Sequence, residues 1–242
     1  MKKLILLFFT TVLFTVVSCD KTEPSETGTE GTLSGTVRLF DEGTQQLSND
    51  NMVVSIFGSN PLISDTTDSD GKFSFSKLSY GTYSIDFHKI GYGQNILNSV
   101  YHNSASTTIS TIINLGQHSS THTTVVSAKD TLGSIFIYVT TDPVGSLNNS
   151  RYIRIYFHNS DMVSSENYTN YSDVLESNTN TLSYRINPHA LEDMGFKSGE
   201  TVWVKAYGES YYSNDFIDPV KGKHIFPNLN LHSAAAISFI VP

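Results

Sequence analysis

The stretch TDSDGKFSFSKLSYGTYSIDFHKIGY, residues 67–92, decides the fold of the first half of the chain. Two runs within it alternate apolar with small or polar residues. The apolar members are Phe73 and Phe75 in the first run, and Tyr83, Ile85 and Phe87 in the second. Side chains of a strand point alternately to opposite faces, so each run presents one apolar face. The stretch therefore predicts two half-buried strands joined by a turn.

The same spacing resembles the signature of the carboxypeptidase regulatory-like domain, which reads roughly T-D-x-x-G-x-F-x-F-x-x-L-x-x-G-x-Y-x-I-x-F-x-x-x-G-Y. The matching residues are Gly71, Phe73, Phe75, Leu78, Gly81, Tyr83, Ile85, Phe87, Gly91 and Tyr92. This resemblance implies a transthyretin-like β-sandwich of about seven strands over residues 32–115. The alternation from Leu33 to Leu39 predicts the first strand of this domain. The resemblance also implies an accessory module without known catalytic residues, and such a fold does not by itself confer a function.

Two clusters in this half invite a metal, and neither fits one well. Asp65, Asp68 and Asp70 precede Gly71, but an EF-hand loop in that register would begin at a threonine and end at a lysine. His118 and His122 are four residues apart in a Ser/Thr-rich segment that does not predict a helix, and zinc needs three or four ligands. We expect a solvated turn rather than a calcium site, and we predict no cofactor and no metal.

Residues 116–123 are polar and lack periodicity, so we interpret them as a linker to a second domain over residues 124–242. Short runs rich in β-branched and aromatic residues predict strands at 132–140, 151–157, 182–186, 202–207 and 236–241. The run Ser198–Gly208 resembles a late strand of immunoglobulin-like or fibronectin type III domains. One short helix is predicted at Pro188–Met194, with Asn187 as N-cap and Gly195 ending it. The whole is all-β, as two tandem β-sandwich domains.

The first residues predict export. Lys2 and Lys3 precede an apolar run that ends before Ser18, so 1–18 reads as a signal peptide, and the run is too short for a typical membrane span. The preceding Val-Val-Ser and Cys19 resemble the lipobox of bacterial lipoproteins, which implies lipidation of Cys19. A secretory signal with a chance cysteine is the alternative. Cys19 is the one cysteine of the chain, so no disulfide and no cysteine nucleophile is expected.

Residues 19–31 read as the lipidated cysteine followed by a flexible polar tether. Its acidic residues resemble the surface-export signal of Bacteroidetes lipoproteins. The formal charge of −8 becomes −10 once Lys2 and Lys3 are removed, which argues against nucleic acid as a partner. We therefore expect an outer-membrane lipoprotein, held by its lipid and facing the cell surface, with a periplasm-facing orientation as the alternative.

No strong catalytic motif occurs in the sequence, and its paired carboxylates are typical of a solvated surface, so we predict that the protein is not an enzyme. The leading hypothesis is a binding, adhesion or scaffold module that contacts an envelope or surface protein. The alternative is glycan binding by an aromatic loop, whose candidate residues are Tyr207, Tyr211, Tyr212 and Phe216. Exposed, roughly coplanar rings would favour this alternative, although such rings more often cover a core. A hydrolase would require carboxylates that converge in a cleft.

Overall fold

The computed structural model describes residues 28–242, which form two β-sandwiches in succession, so the predicted all-β fold is confirmed. The predicted signal peptide, Cys19 and most of the predicted tether lie outside the described residues. Unit one contains β1 (Glu30–Phe40), β2 (Val53–Ile56), β3 (Ser64–Thr66), β4 (Lys72–Ser79), β5 (Gly81–His88), β6 (Asn95–His102), β7 (Ser106–Thr108) and β8 (Ile113–Gly116).

Unit one consists of two sheets of four strands each. One has the order β3-β2-β5-β6, and in the other β1 pairs with β4 on one side and with β7 and β8 on the other. The alternating residues of 67–92 lie on β4 and β5 as predicted, and Phe73, Phe75 and Phe87 are buried between the sheets. Gly71 has φ +78 and lies against Val37, so a side chain there would meet the Val37 carbonyl oxygen. The Asp-Gly turn therefore needs its glycine.

Unit two contains the remaining elements. They are β9 (His122–Thr131), β10 (Ser134–Asp142), β11 (Arg151–His158), β12 (Asn170–Tyr171), β13 (Leu175–Ser177), β14 (Thr181–Ile186), α1 (Pro188–Asp193), β15 (Thr201–Glu209), β16 (Phe216–Ile217), β17 (His224–Ile225) and β18 (Ile237–Ile240). The sheet β14-β10-β9 packs on a sheet in which β11 pairs with β12, β13 and β15, and β15 with β18. The core between them is mainly aliphatic and includes Ile137, Ile155 and Val204.

The one predicted helix is confirmed. It begins at Pro188, Asn187 accepts a hydrogen bond from the Ala190 backbone N–H, and Gly195 follows its end with φ +95. Leu191 is the residue it buries in the core of unit two. Among residues 28–242, no helix is long and apolar enough to cross a bilayer.

The sheet of β11 and β15 is buried on its outer face as well. Tyr156, Val163, Tyr207, Phe226 and Leu229 form a second cluster there, which we call the outer cluster. Half-buried Tyr168, Tyr171, Trp203 and Ala236 pack against it. Two segments supply this cover, one around 163–171 and one around 224–231. Trp203 of β15 thus packs against a core.

The segment predicted as a linker is packed against both units. The His118 N–H donates to the Gly91 carbonyl of unit one, and the Ser119 N–H donates to the Asn228 carbonyl of unit two. Ser119 and Thr121 are buried, and β9 already begins at His122. Gly208 lies so close to this segment that a side chain would overlap the Thr121 carbonyl oxygen. The domain boundaries proposed from the sequence therefore fall in an ordered connection.

Candidate functional site

The four aromatic residues proposed as a glycan-stacking surface do not share one surface. Tyr207 is 3% exposed and belongs to the outer cluster, and Phe216 is 8% exposed. Tyr212 is half-buried and its ring lies 4.2 Å from that of Phe40 in unit one. Tyr211 is the exposed member, at 46%. The exposed coplanar rings that the glycan alternative called for are therefore absent from this loop.

Most of this loop instead joins the two units. The Ser210 hydroxyl donates to the Gln117 carbonyl, and the Tyr211 N–H donates to the Glu42 carbonyl at 2.9 Å. Asn214, buried and with φ +53, accepts the Gly116 N–H and donates to the carbonyls of Gly93 and Gly116. These bonds hold the loop against the end of unit one. The loop, rich in Tyr, Ser and Asn, forms part of the interface between the two units, which was not predicted from the sequence.

Glu42 makes the second connection across the junction. Its carboxylate accepts hydrogen bonds from the Ser120 N–H at 2.7 Å and from the Ser120 hydroxyl at 2.8 Å. Arg151 of β11, whose side chain is 8% exposed, donates to the same carboxylate at 2.7 Å. Charge-assisted hydrogen bonds of this kind are stronger than neutral ones. The two units are thus fixed relative to each other at the place where Tyr211 emerges.

Tyr211 stands in a groove at this junction, which we call the junction groove, with a volume of about 330 Å³. Its lining comes from both units and is mainly polar. The residues are Asp41, Gly43, Thr44 and Gln45 from unit one, and Leu147, Asn148, Asn149, Ser150, Tyr152, Glu176 and Tyr211 from unit two. The Tyr152 and Tyr211 rings meet edge to face, 5.5 Å apart. The groove therefore combines an exposed ring with side-chain amides and carboxylates.

The polar groups of the junction groove are held in place. Asp41 accepts hydrogen bonds from the backbone N–H groups of Gly43 and Gln45. The Ser150 hydroxyl donates to Glu176 at 2.5 Å. Burial, with Glu176 nearby, raises the pKa of Tyr152 above its ordinary value of 10.0, and the protonated phenol can donate a hydrogen bond. The groove thus offers donors and acceptors at fixed positions. Of the residues that line the junction groove, Tyr211 was proposed from the sequence, whereas the others lie in segments without a recognisable motif.

The carboxylate with the most perturbed environment lies elsewhere. Glu209 is fully buried beside Arg154, with Oε2 3.1 Å from Nε, and burial raises its pKa to about 7 while Arg154 opposes the shift. It lines none of the cavities described for residues 28–242. Glu192 and Asp193 lie on the helix beside exposed His189, and Asp218 caps a turn through the N–H groups of Val220 and Lys221. These carboxylates do not converge in a cleft.

The three aspartates before Gly71 are likewise used within the chain. Asp65 accepts the Ser74 N–H, Asp68 accepts the Lys72 N–H, and Asp70 pairs with the Lys72 ammonium. Within the part of the chain that the structure describes, no three His, Cys, Asp or Glu side chains are arranged to hold a metal. His118 and His122 lie in the packed connection and at the start of β9, where His122 stacks on His232.

No protein-family model matches the sequence, and no curated protein matches it either. Among solved structures, a proposed carbohydrate-binding protein from Bacteroides uniformis is 11% identical, with a TM-score of 0.31, over 88% of this chain and all of that one. A DUF3823 family protein from Bacteroides ovatus is 12% identical, with a TM-score of 0.31, over 88% of this chain and all of that one. The shaft pilin SpaA from Lactobacillus rhamnosus is 12% identical, with a TM-score of 0.25, over 88% of this chain and 94% of that one. Likenesses this distant assign neither a family nor a function.

Proposed function

We propose that the protein is a lipid-anchored lipoprotein of the outer membrane whose junction groove binds a glycan without chemical conversion. The observation that carries the binding role is Tyr211, an exposed ring in a groove lined by Asp41, Gln45, Asn149 and Glu176. A ring offers an apolar face to the C–H groups of a sugar, and amides and carboxylates match the hydroxyl groups at its edge. Glu192, Asp193, Asp218 and Glu209 lie outside this groove.

The groove suits a glycan better than an apolar ligand. Its lining is dominated by polar groups, and its fixed acceptors, Asp41 and Glu176, would bind several hydroxyl groups at once. The ordered junction means that little conformational entropy is lost on binding. An envelope or surface protein as the partner is the second candidate, because the groove is also open to a peptide chain rich in hydroxyl or amide groups.

The anchor is supported by the lipobox-like residues before Cys19 and by the absence of any other cysteine. Its test is fractionation of cells that produce the full chain or the Cys19→Ala variant. We expect the full chain to sediment with membranes and to be digested by protease on intact cells. Equal membrane association of Cys19→Ala would refute the anchor, and protection until lysis would place the protein on the periplasmic face.

The glycan role is tested on the full chain extracted in detergent and applied to an array of neutral, N-acetylated and acidic oligosaccharides. Tyr211→Ala should weaken the binding of any retained oligosaccharide about tenfold, which corresponds to about 1.4 kcal/mol. The matched control is Tyr101→Ala, since Tyr101 is 64% exposed on unit one, away from the junction groove. Failure to retain any oligosaccharide, or equal losses in both variants, would contradict the proposal.

A further inference from the structure

The turn between β2 and β3, residues 57–63, is apolar and exposed; we call it the apolar turn. Phe57, Leu62 and Ile63 are exposed there, and Leu62 is 69% exposed. No charged residue occurs between Asp50 and Asp65, although charged residues are the side chains that most often meet water. Apolar side chains gathered on one protruding turn often mark a contact with another surface.

The strand register places the apolar turn at the end of unit one where the described chain begins. β1 starts at Glu30 opposite Ser79, and the Tyr80 N–H donates to the Thr29 carbonyl. The next strand, β5, starts at Gly81. β2 runs antiparallel to β5 toward that start, and the Phe57 N–H donates to the Ser84 carbonyl. The apolar turn and Gly28 therefore lie at the same end.

Unit two contacts unit one at the opposite end and along the edge strand β6. The groups that bind it are Glu42 after β1, Gly93 after β5 and Gly116 at the end of β8. Asn95 and Asn98 of β6 also bind it, at the sheet edge opposite to β2 and β3. Contact with unit two therefore does not explain the apolar turn. Tyr101, which pairs with Thr82 near the start of β5, adds a second exposed apolar group at the end that carries Gly28.

The length of chain before Gly28 limits how far this end can be from an anchor. Eight residues separate Cys19 from Gly28, and the nine steps between their Cα atoms span no more than about 32 Å even when fully extended. Acyl chains on Cys19 would therefore hold the apolar turn close to the bilayer at all times. The effective concentration of membrane that the turn meets is then high, so a small apolar surface is enough for contact.

We propose that the apolar turn docks on the bilayer surface, with Phe57, Leu62 and Ile63 inserted at the boundary of headgroups and acyl chains. This inference rests on the lipid anchor proposed above. Because the turn lacks basic residues, the contact depends on apolar burial and not on anionic lipid. Docking orients unit one upright, so that unit two and the junction groove point away from the membrane.

The experiment uses the full chain carrying Leu62→Cys. A lipidated Cys19 has no free thiol, so the thiol at position 62 is the one available for an environment-sensitive fluorophore. The labelled protein is reconstituted into phosphatidylcholine vesicles with nitroxide-labelled lipid. Leu132→Cys is the matched control: Leu132 is 102% exposed in the β9–β10 turn, at the far end of a strand that starts beside the junction and is about 33 Å long.

We expect a blue-shifted signal at position 62 that is quenched several-fold more than the signal at position 132. Raising KCl from about 0.1 to about 0.5 M should leave the difference unchanged, since salt screens charge contacts and not apolar ones. Equal quenching at both positions in protein that floats with the vesicles would overturn the docking and leave the anchor standing. Protein that does not float and that shows a second free thiol would overturn the anchor, and the docking with it.

Discussion

The outer faces of the two units differ in what covers them. On β5 of unit one, Thr82, Ser84 and Asp86 face outward, and their neighbours are polar side chains such as Asn98 and Gln94. On β11 of unit two, every residue from Arg151 to Phe157 is buried, whichever face it points to. Water covers most of the first face, where Asn98 also donates to the Ile217 carbonyl of unit two. The second face is covered by segments that are remote in sequence.

The covered face contains a charge pair as well as rings. Arg154 donates to Glu209 at 3.1 Å and to the Ser172 carbonyl at 2.8 Å, and its guanidinium lies 4.3 Å from the centre of the Phe226 ring. A buried pair adds little stability over an apolar pair of the same size, but each member depends on the other to offset its own desolvation. The outer face of unit one has no comparable dependence, which makes the two faces separable by mutation.

The largest expected effect is that of Arg154→Leu, which leaves Glu209 buried without its partner. We expect the free energy of unfolding at about pH 9, where the wild-type Glu209 is ionised, to fall by about 3 to 5 kcal/mol, measured by urea denaturation. The matched control is Arg38→Leu, because Arg38 is exposed on β1 of unit one, and its replacement should change stability by less than about 0.5 kcal/mol.

The double variant Arg154→Leu, Glu209→Leu sharpens this prediction. Removing both charges should recover most of the loss, since the main cost of the single variant is the unpaired carboxylate. A double variant as unstable as Arg154→Leu would show that packing of Arg154 against Phe226, and not charge compensation, dominates this face. Equal losses for Arg154→Leu and Arg38→Leu would remove the difference between the two faces altogether.

The same difference explains which buried residues could be predicted from the sequence. In unit one, the alternation around Phe73 and Phe87 predicted β4 and β5 with their buried residues, because one face meets water and the period of two is visible. The helix was predicted from local signals alone, the Asn187–Pro188 pair at its start and Gly195 after its end. In β11 the period is hidden, since Arg154 and Tyr156 on the outer face are as buried as Ile155 on the inner one.

The candidate site was less predictable for a related reason. Tyr211 and Tyr212 are adjacent and chemically identical, yet one is exposed in the junction groove and the other lies against Phe40. Which ring is free depends on Glu42, whose carbonyl fixes the Tyr211 backbone from far away in the sequence. No local pattern encodes such a contact.

The strand β9 was missed because its polar start, His122–Thr124, resembles the segment before it.

The second prediction concerns pH and the buried carboxyl of Glu209. Burial raises its folded pKa to about 7, above an ordinary value of 4.5. Between these values the folded state holds a proton that the unfolded state releases. The stability contributed by this group is therefore fully present below pH 4.5 and is lost as pH rises through about 7.

The measurement compares urea unfolding of the wild type and of Glu209→Gln at about pH 5 and about pH 8. The wild type should lose on the order of 2 to 3 kcal/mol more than the variant over this interval. The comparison cancels the titration of all other groups, since they are common to both proteins. A wild type that gains stability relative to the variant would mean that Arg154 lowers the pKa of Glu209 below its ordinary value, which contradicts the prediction.

The smallest of the three effects tests whether unit one supports the covered face. Asn228 lies in the covering segment, is fully buried, and accepts the Gly93 N–H of unit one at 2.8 Å while donating to the carbonyls of Gly116 and Tyr212. Asn228→Ala leaves buried groups unpaired and should cost about 1 to 3 kcal/mol. Asn103→Ala, at an exposed position between β6 and β7, is the control and should cost less than about 0.5 kcal/mol.

Trp203, the one tryptophan of the chain, packs against the outer cluster and reports on its cover. If unit one holds the covering segment in place, Asn228→Ala should make Trp203 more accessible to acrylamide quenching in native buffer, and Asn103→Ala should not. A loss of stability with unchanged Trp203 accessibility would show that the covering segment holds its position through the packing of Phe226 and Leu229 alone. The covered face would then belong to unit two, and the junction would serve only to fix the groove in which Tyr211 stands.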